Sequence, residues 1–365
     1  MNKLIPSILF FLSCCCFATG QHSHIHFIEK PDSQKISTYI DQTLFTEFLY
    51  SDTLYKQVLY PIYTASGTEI TRGYPIRPKA DERTDHPHQV GLWFSFGDIN
   101  GLDFWNNSNR IPHDKKEHYG IIRFTGIKNI NEKENRFTVE ADWTNHNGYI
   151  LLKEKTTYAF TGKPHERGIR RTTTLTAFKD SIFITENKEG LLGMRLDRNL
   201  EADISGIYQN KEGDTSDDVW GKRSAWVVLN GEIKDEKISI ALIDHPENPN
   251  YPGWSHARGY GLFAINNLGG QCFDKQAEKV QILLKKEDSI TFTYRILIKD
   301  GGGSFQPGNR GSYRNGERFL HYRNLYKQLK AVSRQPLTNF VNLKSNTIMK
   351  KPRCKDTGFS KSVNS

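Results

Sequence analysis

Between Arg83 and Trp93 the chain reads Arg-Thr-Asp-His-Pro-His-Gln-Val-Gly-Leu-Trp, which sets Asp85, His86, His88 and Trp93 within nine residues. Imidazole is the side chain whose ordinary titration falls nearest neutral pH. Two of them beside a carboxylate are equipped for proton transfer or metal ligation. If the segment is extended, His86 and His88 point the same way, because strand side chains alternate with period two. A second stretch of similar make-up runs from Asp244-His245-Pro246 to Trp254-Ser255-His256-Ala257-Arg258. There His256 is a candidate general acid or base, Arg258 an anchor for an anion or oxygen, and Asp244 a carboxylate partner. Trp254 offers a flat face for stacking or a core indole. The shared chemistry of the two stretches leads to the expectation that both line one concave pocket.

Glu189 and Arg195 are separated by an even number of residues. On a strand they share a face, so a carboxylate and a guanidinium could line one cleft. The stretch Gly97-Asp98-Ile99-Asn100-Gly101-Leu102-Asp103-Phe104-Trp105 mixes aromatics with carboxylates and amides. Such a mixture suits a sugar: flat faces against C–H surfaces, and acceptors such as Asp103 for hydroxyls. Phe104 reads as core. For a metal, His86 and His88 are the place, with His256, Asp244 or His245 as a further ligand. The Glu that a cupin-like site wants shortly after its second His is missing, since Gln89, Val90, Gly91, Leu92 and Trp93 follow. A metal-free acid–base site, with no cofactor, is therefore the expectation. No G-x-S-x-G, phosphate loop, dinucleotide glycine fingerprint or H-E-x-x-H occurs.

The elements that must position these residues are strands. Phe137, Val139, Ala141 and Trp143 alternate with polar neighbours, as do Ile290, Phe292, Tyr294, Ile296 and Ile298. Shorter runs lie at 121–127, 172–178, 181–185, 226–229 and 238–243. Turn-forming breaks occur at Ser66-Gly67, Asn147-Gly148, Thr161-Gly162-Lys163-Pro164, Asn230-Gly231 and Gly301-Gly302-Gly303. The pattern predicts an all-β chain, a large antiparallel β-sandwich. Helical spacing occurs once, at Phe319, Tyr322, Tyr326 and Leu329, giving a short C-terminal helix. Residues 1–20 carry a charged start, an apolar run and Ala18-Thr19-Gly20, the pattern of an export signal. Lipidation at Cys14 is the alternative. No later run is long enough for a membrane span. Outside the signal only Cys272 and Cys354 remain, so no disulfide framework is expected. The +9 charge is concentrated in the tail after residue 331, where seven basic residues face Asp356 alone. That leaves a near-neutral body and argues against a nucleic-acid partner. The expected organisation is a signal at 1–20, a lead-in at 21–49, one β domain at 50–330 and a disordered basic tail at 331–365.

Several motifs together resemble a known family. They are Tyr60-Pro61-Ile62-Tyr63-Thr64 with Gly67, Thr71-Arg72-Gly73-Tyr74-Pro75, and Asp85-His86-Pro87-His88 with Gly91-Leu92-Trp93. Asp103-Phe104-Trp105, Glu189-Gly190 with Gly193 and Arg195, and Asp244-His245-Pro246 with Pro252, Trp254, Arg258, Tyr260 and Gly261 extend the set. The chain is similar over about residues 50–330 to the family named "methane oxygenase PmoA". The membrane monooxygenase subunit of that name has several spans, whereas this chain shows none after its signal. The resemblance implies a β-supersandwich and a carbohydrate context. Three functions follow as expectations. The first is an exported enzyme of hydrolase, lyase or epimerase type. It would use His86, His88 or His256 with Glu189 or Asp244 on a sugar or glycan bound by Asp85, Trp93, Asp103, Arg195, Trp254 and Arg258. The second is a glycan-binding module with Trp93, Trp105 and Trp254 as its platform. The third is a metal-dependent oxygenase.

Overall fold

The computed structural model describes residues 23–51 and 53–302, which fall in one compact unit. They form two eight-stranded antiparallel sheets and a two-stranded ribbon. The first sheet contains β1 (Ile25–Lys30), β2 (Lys35–Ile40), β3 (Thr43–Leu49), β4 (Val58–Ile62), β5 (Leu92–Phe96), β11 (Gly190–Arg195), β16 (Leu262–Asn266) and β15 (Trp254–Ser255), in that spatial order. The second runs β12 (Ile207–Asn210), β13 (Trp226–Ile233), β14 (Glu236–Asp244), β18 (Ser289–Lys299), β9 (Glu166–Ala177), β8 (Ile150–Lys163), β7 (Arg136–Thr144) and β6 (Ile121–Asn131). The ribbon pairs β10 (Ile182–Thr185) with β17 (Gln281–Leu284). The expected antiparallel β-sandwich is therefore the observed fold. The expected C-terminal helix and the signal lie outside the described residues.

Alternation along each strand sends one set of side chains between the sheets. Phe45 and Phe48 of β3 and Phe27 of β1 meet Phe137, Tyr158 and Phe160 of the second sheet, with ring centroids 5.5–6.1 Å apart. Each such buried side chain stabilises the fold by about 1.5–3 kcal/mol. Residues 25–49, expected as a lead-in, thus supply three strands of the first sheet and part of its core. Their short alternations are broken by Pro31-Asp32-Ser33 and by a register shift after Thr38, which hides the period.

One turn also falls elsewhere than expected. Asn230-Gly231 lies within β13, and the chain reverses at Lys234 and Asp235, both with positive φ (49° and 65°). Two consecutive left-handed residues make the tight hairpin turn that matches strand twist. Gly231 is there for space: a Cβ would stand 2.7 Å from a Leu200 methyl carbon.

Candidate functional site

The central strands of the first sheet, β4, β5, β11 and β16, are buried on both faces. Leu92, Phe94 and Phe96 of β5 enter the core between the sheets, whereas Trp93 joins Val58, Tyr60, Val90, Trp105, Leu262 and Ala264 in a separate cluster on the outer face. Across that face Trp93 is paired with Val58 on one side and Gly193 on the other, and Gly193 with Ala264. Gly193 is the low point of the row. A Cβ there would lie 2.6 Å from the Trp93 ring and 2.8 Å from the Trp105 ring. The two indoles meet at 5.0 Å and 58°, and each buried N–H lacks a hydrogen-bond acceptor among the described residues. Buried donors are rarely left so, and a ligand hydroxyl is a natural acceptor.

Two buried guanidiniums frame the site. Arg72 donates to the carbonyls of Arg83, Asp85, His86 and Gln89 at 2.8–3.2 Å, and to Asp85 Oδ1 at 3.0 Å. The 83–89 loop is therefore wrapped around one side chain instead of being extended. That corrects the expectation of a strand here, because His86 has a φ of +43° and sits in a turn. His is among the residues that tolerate this region, at a cost of about 1–3 kcal/mol, and Arg72 holds it there. The imidazoles still meet, with ring centroids 5.7 Å apart and edge-on. Arg195, fully buried, reaches Gln89 Oε1 at 2.5 Å and Asp85 Oδ1 at 2.9 Å, and lies 4.8 Å from the centre of the Tyr260 ring. His86 stacks flat on the Tyr260 ring at 5.2 Å, with its Nδ1 3.2 Å from Asp85 Oδ2.

The electrostatics divide the titratable groups. Burial alone would raise the Asp85 carboxyl. The adjacent His86 and the charges of Arg195 and Arg72 overcome it and hold Asp85 well below the usual carboxylate range. Asp85 is thus a fixed anion. Glu189 goes the other way: burial lifts it to about 6, Asp103 adds to the rise, and Lys188, His86 and Arg258 oppose it. Burial, with the charges of Lys56 and His86, pushes His88 well below its ordinary value, leaving a neutral imidazole. Burial also raises the Tyr260 phenol, which is close enough to feel both Glu189 and Arg195.

The other expected residues are placed differently. Asp103 spends its carboxylate on the backbone N–H groups of Trp105 and Asn106 and on the Asn106 amide, so it shapes the loop that carries Trp105. Trp254 is 2 % exposed and has the Arg223 guanidinium 4.6 Å from its ring centre, so that face is not free for a sugar. His256 is buried, bonded through Nδ1 to the Lys188 carbonyl at 2.9 Å and edge-on to Phe273. Burial drives it to about 3, and it serves packing. Asp244 accepts from Asn248 Nδ2, Gly253 N and Asn267 Nδ2 at 2.6–2.9 Å, all bracing bonds. Arg258 is exposed and lies over Trp220 at 5.3 Å, at the rim. The two stretches each reach a cavity. His88 lines one of 310 Å³, and Trp254 lines one of 510 Å³ with Trp220 and Phe273.

Sequence reasoning passed over Gln89, Lys56 and the framing role of Arg72, and gave Tyr260 no role. Arg72 and Tyr260 were visible as motif members, but nothing local marks Lys56. Among the described residues no group of three or more His, Cys, Asp and Glu side chains is arranged to hold a metal ion. The oxygenase expectation has no ligand set there. Among the same residues no helix is long and apolar enough to cross a membrane.

The model of a family of unknown function, DUF6807, matches residues 35–306, and the chain belongs to that family. A search of curated proteins finds no match. Among solved structures, a galactose mutarotase-like protein from Lactobacillus casei is similar at 10 % identity and a TM-score of 0.33, over 75 % of this chain and 99 % of that one. One from Clostridium acetobutylicum is similar at 10 % and 0.30, over 77 % and 99 %. A glycoside hydrolase family 97 enzyme from Pseudoalteromonas sp. strain K8 is similar at 10 % and 0.29, over 76 % of this chain and 34 % of that one. Superposition at this level assigns no chemistry to the chain.

Proposed function

We propose that this member of the DUF6807 family is an exported enzyme that acts on a sugar or glycan by acid–base catalysis. Glu189 is the carboxyl acid or base, and His86 and His88 are its imidazole partners. One observation carries the reading: a carboxyl lifted to about 6, Glu189, feels His86 of an imidazole pair whose rings lie 5.7 Å apart, and the carboxylate beside that pair, Asp85, cannot itself take up a proton. Titratable groups driven apart in this way are what proton transfer near neutral pH requires. Protonated Glu189 can deliver a proton to a ring or glycosidic oxygen while a neutral imidazole withdraws one from a hydroxyl or a sugar carbon. Reversing the roles restores the site. Arg195 holds Asp85, whose carboxylate stands 3.2 Å from the His86 imidazole, and the buried indole N–H groups of Trp93 and Trp105 have no acceptor among the described residues. Epimerisation, elimination and hydrolysis would each use such a set.

Turnover on a panel of aldoses, keto-sugars and glycans, in wild type, Glu189→Gln and His86→Ala, tests this. Loss of about 100-fold or more in kcat in either variant, with the fold intact, is expected for a general acid or base. The Glu189→Gln variant should also lose the limb of the pH–rate profile near 6. Full activity in both variants would remove the assignment. Binding of glycans without turnover of any would leave a binding module, which the two unpartnered indole donors also suit.

A further inference from the structure

We propose that the 310 Å³ cavity lined by Lys56 and His88 seats a carboxylate, and that the sugar this protein takes is an acidic one, a uronic acid free or in a chain. Lys56 is 4 % exposed. Its ammonium has three donors, and among the described residues Trp105 O, at 2.7 Å, is its one hydrogen-bond acceptor. The nearest opposing charge is Asp103, whose oxygens are committed to Trp105 and Asn106, and it makes no ion pair with Lys56. A buried cation so poorly served is costly unless an anion completes it. Burial accordingly draws Lys56 down to about 7, so an arriving carboxylate would recharge it.

The rest of the wall suits a sugar acid. Asn107 and Ser108 are 5 % and 6 % exposed. Asn107 gives its amide N–H to the Gly120 carbonyl, which leaves its oxygen to accept from a hydroxyl. Ser108 Oγ accepts from Arg110 N, which leaves its O–H to donate. His88 is neutral and adds a further hydrogen-bonding nitrogen. The volume lies at the small end of ligand pockets, the scale of one sugar ring. The word sugar rests on the proposed function; the carboxylate seat rests on Lys56 alone.

Calorimetric titration of the full chain with D-glucuronate, D-galacturonate, D-glucose, D-galactose and acetate tests the proposal. At least one uronate should bind about 10-fold or more tighter than its neutral counterpart, as a charge-assisted hydrogen bond provides. Lys56→Met should erase that preference. Wild type supplies a readout independent of any variant. Near pH 7.5, uronate binding should take up protons, seen in buffers of different ionisation heat, and affinity should fall as pH rises above 7. The groups acting on Lys56 and His88 are Asp103, His86, Arg72 and Arg195. Arg72 does not titrate in that range, and Asp85 stays ionised throughout it. Equal binding of uronates and neutral sugars, no uronate binding at millimolar concentration, or binding without proton uptake overturns the proposal. Acetate binding as tightly as a uronate would keep the carboxylate seat and overturn the sugar acid. If uronates bind through Lys56 but nothing turns over, the acid–base reading fails and this one stands. If neutral sugars turn over as well as acidic ones, the reverse holds.

Discussion

At the residue scale, Asp85 and Glu189 show how one site makes two different carboxylates. Asp85 receives Arg72 and Arg195 at 2.9–3.0 Å and stays ionised. Among the described residues Glu189 has only Lys188, at 4.0 Å, as a cationic contact, and burial dominates it. The linkage has a definite sign. Because the folded-state value of Glu189 is raised, its ionised form is the disfavoured one. Stability is undiminished below the ordinary value of 4.5 and is lost as pH rises through about 6. Glu189→Gln should therefore stabilise the protein by about 1–2 kcal/mol at pH 7.5 and leave stability unchanged at pH 4. Denaturant unfolding at the two pH values measures this, and an equal effect at both would show that Glu189 is not destabilised by ionisation. The residue types of this site were legible in the sequence: the His pair, Asp85, Glu189 and Arg195. The geometry behind the pairing was not. His86 and His88 meet through a turn held by Arg72, because the loop carbonyls find their donors on a side chain and not on a neighbouring strand.

At the element scale, the outer face of the first sheet is set by register. Val58, Trp93, Gly193 and Ala264 fall in one row across β4, β5, β11 and β16, and the loop ends deliver Arg195 and Glu189 on either side of it. Asp244 belongs to a different joint. It ends β14 and ties the 245–253 loop to β16 through Asn248, Gly253 and Asn267, and burial lifts it to about 6. Asp244→Ala should cost about 2–4 kcal/mol by orphaning buried donors, while ligand affinity and the pH dependence of any turnover stay as in wild type. Urea unfolding beside a binding titration separates the two. A folded variant with lost turnover would return Asp244 to the catalytic set. Sequence types alone could not divide Asp244 from Glu189, since both are acids within motif stretches. Partners decide: every Asp244 oxygen is occupied, and Glu189 has one weak contact.

At the scale of the whole molecule, the two sheets are joined by more than apolar rings. Arg171 of β9 pairs with Glu154 of β8 at 2.8 Å, both 4–6 % exposed, and its guanidinium lies 4.4 Å from the centre of the Phe94 ring of β5. Glu154 also receives the Trp143 indole N–H at 2.7 Å. Removing one partner of a buried ion pair leaves an uncompensated charge, so Glu154→Ala should cost about 3–5 kcal/mol. Replacing both partners together, Glu154→Leu with Arg171→Met, should recover much of that loss. Thermal unfolding of the single and double variants measures it, and additive losses would mean the pair is not a unit. What the amino-acid sequence determined by itself was local. Period-two alternation specified strands, their number excluded other classes, and the residue types of both motif stretches made acid–base chemistry the expectation. What the tertiary structure alone decided was which of those residues share a recess. Strand order places β5 beside β11 although nearly a hundred residues separate them, and a buried cation from residue 56 arrives beside His88 by the same route. Alternation encodes which face a side chain takes, not which strand becomes its neighbour, so Lys56 acquired meaning only once the sheets were assembled.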